Sequence, residues 1–202
     1  MHVGFVGTGS MGEPMALDVL KAGHRLTVYD RRPDATVELE RRGATRAADL
    51  VALGREVRAT LLSLPDERVV ETVVFGDRPG TGLVDGAQPG DVIIDLSTVS
   101  PGSTRRLAAR TAERGVTLID APVSGSVGGA RAGTLAVMVG ASEETAEPFA
   151  IGSSLFYLGE TGRGRSSATC SARARVRPSS WSASWRRSPG MTTPPGSSST
   201  SR

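Results

Sequence analysis

The stretch Gly4–Ala16, GFVGTGSMGEPMA, decides the fold. An apolar run (HVGFV) leads into it, glycines follow at Gly7, Gly9 and Gly12, and a helix-forming segment leaves it. Each glycine has a physical task. Gly7 permits a tight turn, Gly9 lets the backbone approach a ligand, and Gly12 lets helix and strand pack closely. The pattern alone is weak in a chain with 25 glycines, but TVYD places Asp30 at the end of the next apolar run, 18 residues after Gly12. That context makes the turn specific.

Working outward, six short runs read as buried strands: HVGFVG, RLTVYD, VRATLLSLP, DVIIDLST, VTLIDAPV and AVMVG. Helical segments alternate with them. MGEPMALDVLKAG follows Ser10, a suitable cap, and stops at Gly23. PGSTRRLAARTAERG has Pro101 in its first turn and stops at Gly115. Alternation of this kind predicts an α/β, Rossmann-type, doubly wound and mostly parallel sheet for residues 1–162. Residues 163–202 read as a disordered or irregular tail, rich in arginine and serine.

The glycine turn would offer helix N-terminal N–H groups to a pyrophosphate. At the next strand end two signals compete. Asp30 suits the ribose diol of NAD, whereas Arg31 and Arg32 suit the 2′-phosphate of NADP. The balance leans slightly to NADP, and both cofactors stay open.

Composition narrows the class. The net charge is +3 and the isoelectric point about 9.7, yet sixteen of the 24 basic residues and all 21 acidic ones precede Arg163. Met1–Gly162 therefore carries −5 and only the tail is basic, which makes the high isoelectric point poor support for nucleic-acid binding. One cysteine, Cys170, allows no intrachain disulfide and no cysteine-rich metal site. MHVGFVGTGSMG lacks the features of a signal peptide, and no apolar run approaches the ~18 residues of a membrane span. A cytoplasmic protein with no metal, membrane or nucleic-acid partner is expected.

Three further stretches fall at or just after strand ends: LLSLPD (Leu61–Asp66), DLSTVSP (Asp95–Pro101) and DAPVSGSVGGARAGTLAVMVG (Asp120–Gly140). Together with the glycine turn they resemble the β-hydroxyacid dehydrogenase family, which includes 3-hydroxyisobutyrate dehydrogenase, tartronate semialdehyde reductase and the 6-phosphogluconate dehydrogenases. The likeness extends to about Gly164. It implies that Gly7, Gly9, Ser10, Met11, Gly12, Asp30 and Arg31 hold NAD or NADP. It further implies that Leu64 and Pro65 line the cofactor through their backbone and that Ser97 and Thr98 lie near the nicotinamide ribose. Ser124, Gly125 and Ser126 would present donors to the carboxylate of a small hydroxy acid. The family usually has a second glycine where this chain has Ser126. His2 and His24 match no family motif and read as structural or solvated. An intact member is expected to be a homo-oligomer.

The resemblance also implies a G-x-G-x-x-x-K-x-x-x-N segment, whose lysine is the general acid/base and whose asparagine holds substrate. GETGRG supplies Gly162 and Gly164, but the lysine position falls on Ala168 and the asparagine position on Ala172. The tail there holds eight arginines, twelve serines and no acidic residue. Shifted by one base, serine codons TCN become codons for Phe, Leu, Ile or Val, and arginine codons CGN become codons for Ala, Ser, Thr or Pro. A reading-frame slip thus accounts for the composition, though the shift does not turn Ala168 into lysine. The expected function is the cofactor domain of an oxidoreductase acting on a small 3-hydroxy acid or its semialdehyde, with little activity without lysine and helical domain. A bared apolar patch is expected where that domain would dock. Alternatives are an imine-reductase-like enzyme, or a nucleotide-binding module with an anion-binding tail.

Overall fold

Residues along each central strand point alternately into two cores, and this alternation organises the computed structural model, which describes residues 1–141, 154–157, 161–162 and 175–178. Val6, Leu62, Ile93 and Leu118 enter one core, while their neighbours Phe5, Leu61, Ile94 and Ile119 enter the other. A strand buried on both faces needs this continuous apolar character, and each such side chain contributes about 1.5–3 kcal/mol of burial free energy.

The strands are β1 (His2–Val6), β2 (Arg25–Tyr29), β3 (Thr45–Arg46), β4 (Ala59–Leu62), β5 (Val92–Asp95) and β6 (Thr117–Asp120). Among the described residues they form one sheet in the order β3-β2-β1-β4-β5-β6, with every pairing parallel. Helices α1 (Gly12–Lys21) and α2 (Val37–Arg41) belong to one face. Helices α3 (Leu50–Glu56), α4 (Glu67–Phe75) and α5 (Pro101–Ala112) belong to the other. The order reverses between β1 and β4. In open α/β sheets the ligand crevice opens at that reversal, beyond the carboxyl ends of the strands.

The run AVMVG belongs elsewhere. It forms β8 (Ala136–Val139) of a second sheet, with β7 (Val123–Ser124), β9 (Ser154–Tyr157) and β10 (Arg175–Pro178), in the order β10-β9-β8-β7. Val137 and Val139 pack into the core of the α1 face, beside Ala130 of the short helix α6 (Val127–Ala132). The antiparallel bridge Asp120–Gly140 stitches the two sheets. Within the tail, expected to be irregular, Arg175–Pro178 pair antiparallel with Ser154–Tyr157. The rest of the tail lies outside the described residues.

Helix caps differ from the sequence expectation at one informative place. Asp49, Asp66 and Ser100 cap α3, α4 and α5, accepting from the backbone N–H of Ala52 (2.7 Å), Val69 (2.9 Å) and Ser103 (3.2 Å). Ser10, expected to cap α1, does not. Met11 occupies the cap position, and no side chain bonds the first turn. The reason is that the helical path begins earlier, with Glu13 N–H donating to the Gly9 carbonyl at 2.9 Å. Among the described residues Val37 is the one large apolar side chain left exposed. Leu64, Val99 and Val123, near the crevice, are instead partly buried against the cores.

Both histidines lie at the amino-terminal ends of neighbouring strands, β1 and β2. His2 opens β1, with Nε2 2.8 Å from Thr27 Oγ1, and His24 precedes β2, with Nδ1 3.2 Å from the amino terminus. Burial lowers the pKa of each, reinforced at His2 by Arg25 against a partial offset from Glu56, and at His24 by the terminal ammonium. A lowered folded-state pKa means the unfolded chain binds more protons, so stability falls as pH drops below about 6.5. Thermal melts from pH 7.5 to 5.5 should show a falling Tm. The double variant His2→Gln/His24→Gln should flatten that slope, and an unchanged slope would refute the assignment.

Candidate functional site

The crevice is built from loops that leave neighbouring strands at the same level. Gly7 follows β1, Asp30 follows β2, Ser63–Leu64–Pro65 follow β4, and Leu96–Ser97–Thr98 follow β5. The ladders run on into these loops: Gly7 N–H donates to Tyr29 O (3.0 Å), Ser63 N–H to Val6 O (2.9 Å) and Leu96 N–H to Leu62 O (2.9 Å). The loops are therefore extensions of a rigid sheet.

The three glycines meet different surroundings. Gly7 has φ +89°, and a Cβ there would strike the Ser63 carbonyl and come within 2.9 Å of Leu64 Cδ2. A Cβ on Gly12 would overlap the Gly7 carbonyl oxygen and come within 3.2 Å of Phe5. Gly9 differs, because a Cβ there would find only Arg32 Nη2, at 3.9 Å. Space is thus kept at Gly9 in front of an N-terminus that no side chain caps. An anionic, elongated group fits such a cradle. Ser10 is exposed, whereas Met11 is partly buried against the core.

At the end of β2 the charges are arranged unequally. Asp30 Oδ2 accepts from Thr8 N–H at 2.9 Å and, more loosely, from Thr8 Oγ1 at 3.4 Å. Its Oδ1 accepts from Arg32 N–H at 2.9 Å and lies 3.7 Å from Arg32 Nε. Arg31 and Arg32 are exposed, and Arg31 forms no ion pair among the described residues. Thr8 itself is buried, and its hydroxyl donates to Ala35 O at 2.9 Å. Sequence reading passed over Thr8. Its only signal was a hydroxyl between two motif glycines.

Across the crevice, Leu64 N–H donates to the buried Ser97 hydroxyl at 2.9 Å, so this amide is already engaged. Ser97 N–H in turn donates to the buried Asp95 at 3.0 Å. Pro65 and Thr98 are exposed beside them. A second tether joins the same loops, with Ser100 Oγ donating to Glu67 Oε2 at 2.9 Å.

Ser124 ends β7, and Gly125 and Ser126 link it to α6; all three are exposed. Gly125 has φ +142°, and a Cβ there would lie 2.7 Å from Leu135 Cδ2. Ser126 has φ −95° and ψ 173°, extended backbone that any residue adopts, so the position does not demand the family's glycine. Its hydroxyl accepts from Gly129 N–H at 3.3 Å and caps α6. Gly162, with φ +91°, donates its N–H to the buried Asp120 Oδ1 at 2.6 Å. Ala168 and Ala172 lie outside the described residues. Also among the described residues, no cluster of histidine, cysteine or carboxylate side chains could hold a metal, and no helix is long and apolar enough to cross a membrane.

Residues 2–151 match the family described as the NAD binding domain of 6-phosphogluconate dehydrogenase. The chain belongs to this family. Similar curated proteins include 2-(hydroxymethyl)glutarate dehydrogenase of Eubacterium barkeri, 39% identical over 169 residues, covering 81% of this chain and 55% of that protein. The 3-hydroxyisobutyrate dehydrogenase of Pseudomonas aeruginosa is 39% identical over 173 residues, covering 83% and 57% respectively. A solved structure of Mycobacterium tuberculosis 3-hydroxyisobutyrate dehydrogenase with L-serine is 32% identical, with a TM-score of 0.74 and coverage of 84% and 58%. The resemblance to β-hydroxyacid dehydrogenases holds, for their N-terminal NAD-binding domain. This chain spans little more than half the length of these relatives. A Streptomyces aurantiacus imine reductase shares the fold, at 24% identity and a TM-score of 0.73.

The glycine geometry makes a contrast that urea denaturation can measure. Gly12→Ala must push helix and strand apart and should cost about 1–3 kcal/mol. Gly9→Ala meets open space and should stay within about 0.5 kcal/mol of the parent chain. Equal losses at both positions would contradict this division of labour.

Proposed function

We propose that this chain is the cofactor-binding part of an NAD(P)-dependent oxidoreductase acting on a small 3-hydroxy acid or the corresponding semialdehyde. The observation that carries the reading is the open cradle at Gly9, set before the uncapped first turn of α1 at the strand-order reversal. In this reading Gly7, Gly9, Ser10, Met11 and Gly12 form the pyrophosphate turn. Asp30 and Arg31 lie toward the adenosine ribose, and Leu64, Pro65, Ser97 and Thr98 toward the nicotinamide. Ser124, Gly125 and Ser126 lie toward the substrate carboxylate, with the Ser126 hydroxyl also serving as a helix cap. The nicotinamide supplies the hydride donor or acceptor when bound.

NADP is the proposed preference. The exposed Arg31, with no ion pair among the described residues, and the largely exposed Arg32 guanidinium put positive charge at the end of β2. Both suit a 2′-phosphate. Catalysis by this chain is proposed to be weak, since alanines occupy the family's lysine and asparagine positions, Ala168 and Ala172. Losing a general acid/base costs about 10²–10⁴ in rate.

Fluorescence titration of the chain with NADPH and NADH tests the reading. Saturable binding, stronger for NADPH and lost in Gly9→Ala while the fold is retained, is the expected result. No binding of either dinucleotide would overturn it. Turnover of 3-hydroxyisobutyrate matching that of a full-length relative would overturn the proposed weakness.

A further inference from the structure

In folds of this kind the carboxylate at the end of β2 reads the adenosine ribose, and Asp30 is placed to do so. Thr8 N–H and Arg32 N–H, each at 2.9 Å, take one site on each of its oxygens. An ionised carboxylate has about four acceptor sites, so outward ones stay open on both oxygens for ribose hydroxyls. How sharply Asp30 and the neighbouring Arg31 discriminate then depends on how firmly their loop is held. Two bonds from one residue hold it to the glycine turn. Thr8 N–H reaches Asp30 at the start of the loop, and the Thr8 hydroxyl donates to Ala35 O at 2.9 Å, 27 residues away. With a single proton to give, that hydroxyl serves Ala35 first, and its oxygen lies a looser 3.4 Å from Asp30 Oδ2. Other bonds in the loop are local: Ala35 N–H donates to Arg32 O at 3.1 Å, and the Thr36 hydroxyl to Pro33 O at 2.8 Å. Asp30, Arg31 and Arg32 thus ride on a segment pinned at both ends to Thr8. Any residue except proline would supply the amide. The second pin needs a hydroxyl, and this one is buried, at 2% exposure, where a bond left unmade is costly.

We infer that Thr8 is a positioning residue for cofactor discrimination: by holding Ala35, its hydroxyl sets the angle at which Asp30 and Arg31 meet the 2′ position of the dinucleotide. The inference rests on the dinucleotide reading and deepens it. Asp30 remains the group that meets a ribose diol, and the exposed Arg31 the group that meets a 2′-phosphate. Thr8 acts through them. Without the hydroxyl, the loop can shift against the glycine turn, and the two discriminating groups lose their fixed placement. The cradle at Gly9 and the open first turn of α1 stay as they are, so binding of the pyrophosphate common to both cofactors survives.

The test titrates the full chain, Thr8→Val and Thr8→Ser with NADH and NADPH, following nicotinamide fluorescence, after circular dichroism has established folding. Thr8→Val keeps the amide and removes the hydroxyl, whereas Thr8→Ser keeps both. In Thr8→Val the ratio of the two affinities should move toward one by at least about threefold, the scale of one hydrogen bond. Thr8→Ser should hold the parental ratio within about twofold. Hydrogen exchange of the Ala35 amide in the free chain should speed up in Thr8→Val and not in Thr8→Ser. Should Thr8→Val fail to fold, Thr8→Ala carries the comparison. A merely structural hydroxyl would lower both affinities in equal proportion, and that result overturns the inference. So does an unsubstituted chain that binds both dinucleotides equally, since it has no discrimination to position. Binding of neither dinucleotide by the unsubstituted chain would remove the dinucleotide reading itself, and this inference with it.

Discussion

Gly12 lies so close to the Gly7 carbonyl that no other residue fits, and this approach of helix to strand sets the geometry of the nucleotide end of the molecule. With Gly12 against Gly7, α1 starts directly at the end of β1, and its first N–H groups face the crevice with no side chain bonded to them. Had Ser10 capped the helix, those donors would have been partly spent. A cap worth about 1 kcal/mol is forgone here, while α3, α4 and α5 each carry one. Helix α2 also lacks a side-chain cap, so what sets α1 apart is the glycine turn in front of its open first turn.

The sheet turns that local arrangement into a crevice. Because β1 lies between β2 and β4, the glycine turn has Asp30 on one side and Leu64 on the other. Leu64 is bonded onward to Ser97 after β5. Four loops are therefore held in register by the strand ladders beneath them, and the doubly buried apolar strands make those ladders rigid. Ligand contacts placed on short loops at strand ends inherit this precision.

Fold and site were legible to different depths. The six apolar runs, the glycine turn and Asp30 could be read because burial on two faces and positive φ constrain residue type directly. The membership of AVMVG in a second sheet could not, since period-2 burial is the same in either sheet and only tertiary pairing with Val123–Ser124 and Ser154–Tyr157 distinguishes them. The uncapped α1 was misread because a serine next to a helix start normally means a cap. Thr8 was invisible for a related reason. Its side chain acts across 22 and 27 residues of sequence, on Asp30 and Ala35, and no local pattern reports such a bond.

Serine at position 126, where the family usually has glycine, fits the backbone it occupies. A glycine is required only where φ is positive or where a Cβ collides, and Gly125 meets both conditions. Ser126 meets neither, and its hydroxyl adds a cap to α6. The loop shape therefore follows from Gly125 alone. Gly162 is likewise constrained by its backbone. Its positive φ and its N–H bond to the buried Asp120 anchor the chain where the family's interdomain segment begins. The Asp120 carboxylate thus holds Gly162 against the carboxyl end of β6, 42 residues earlier in the chain.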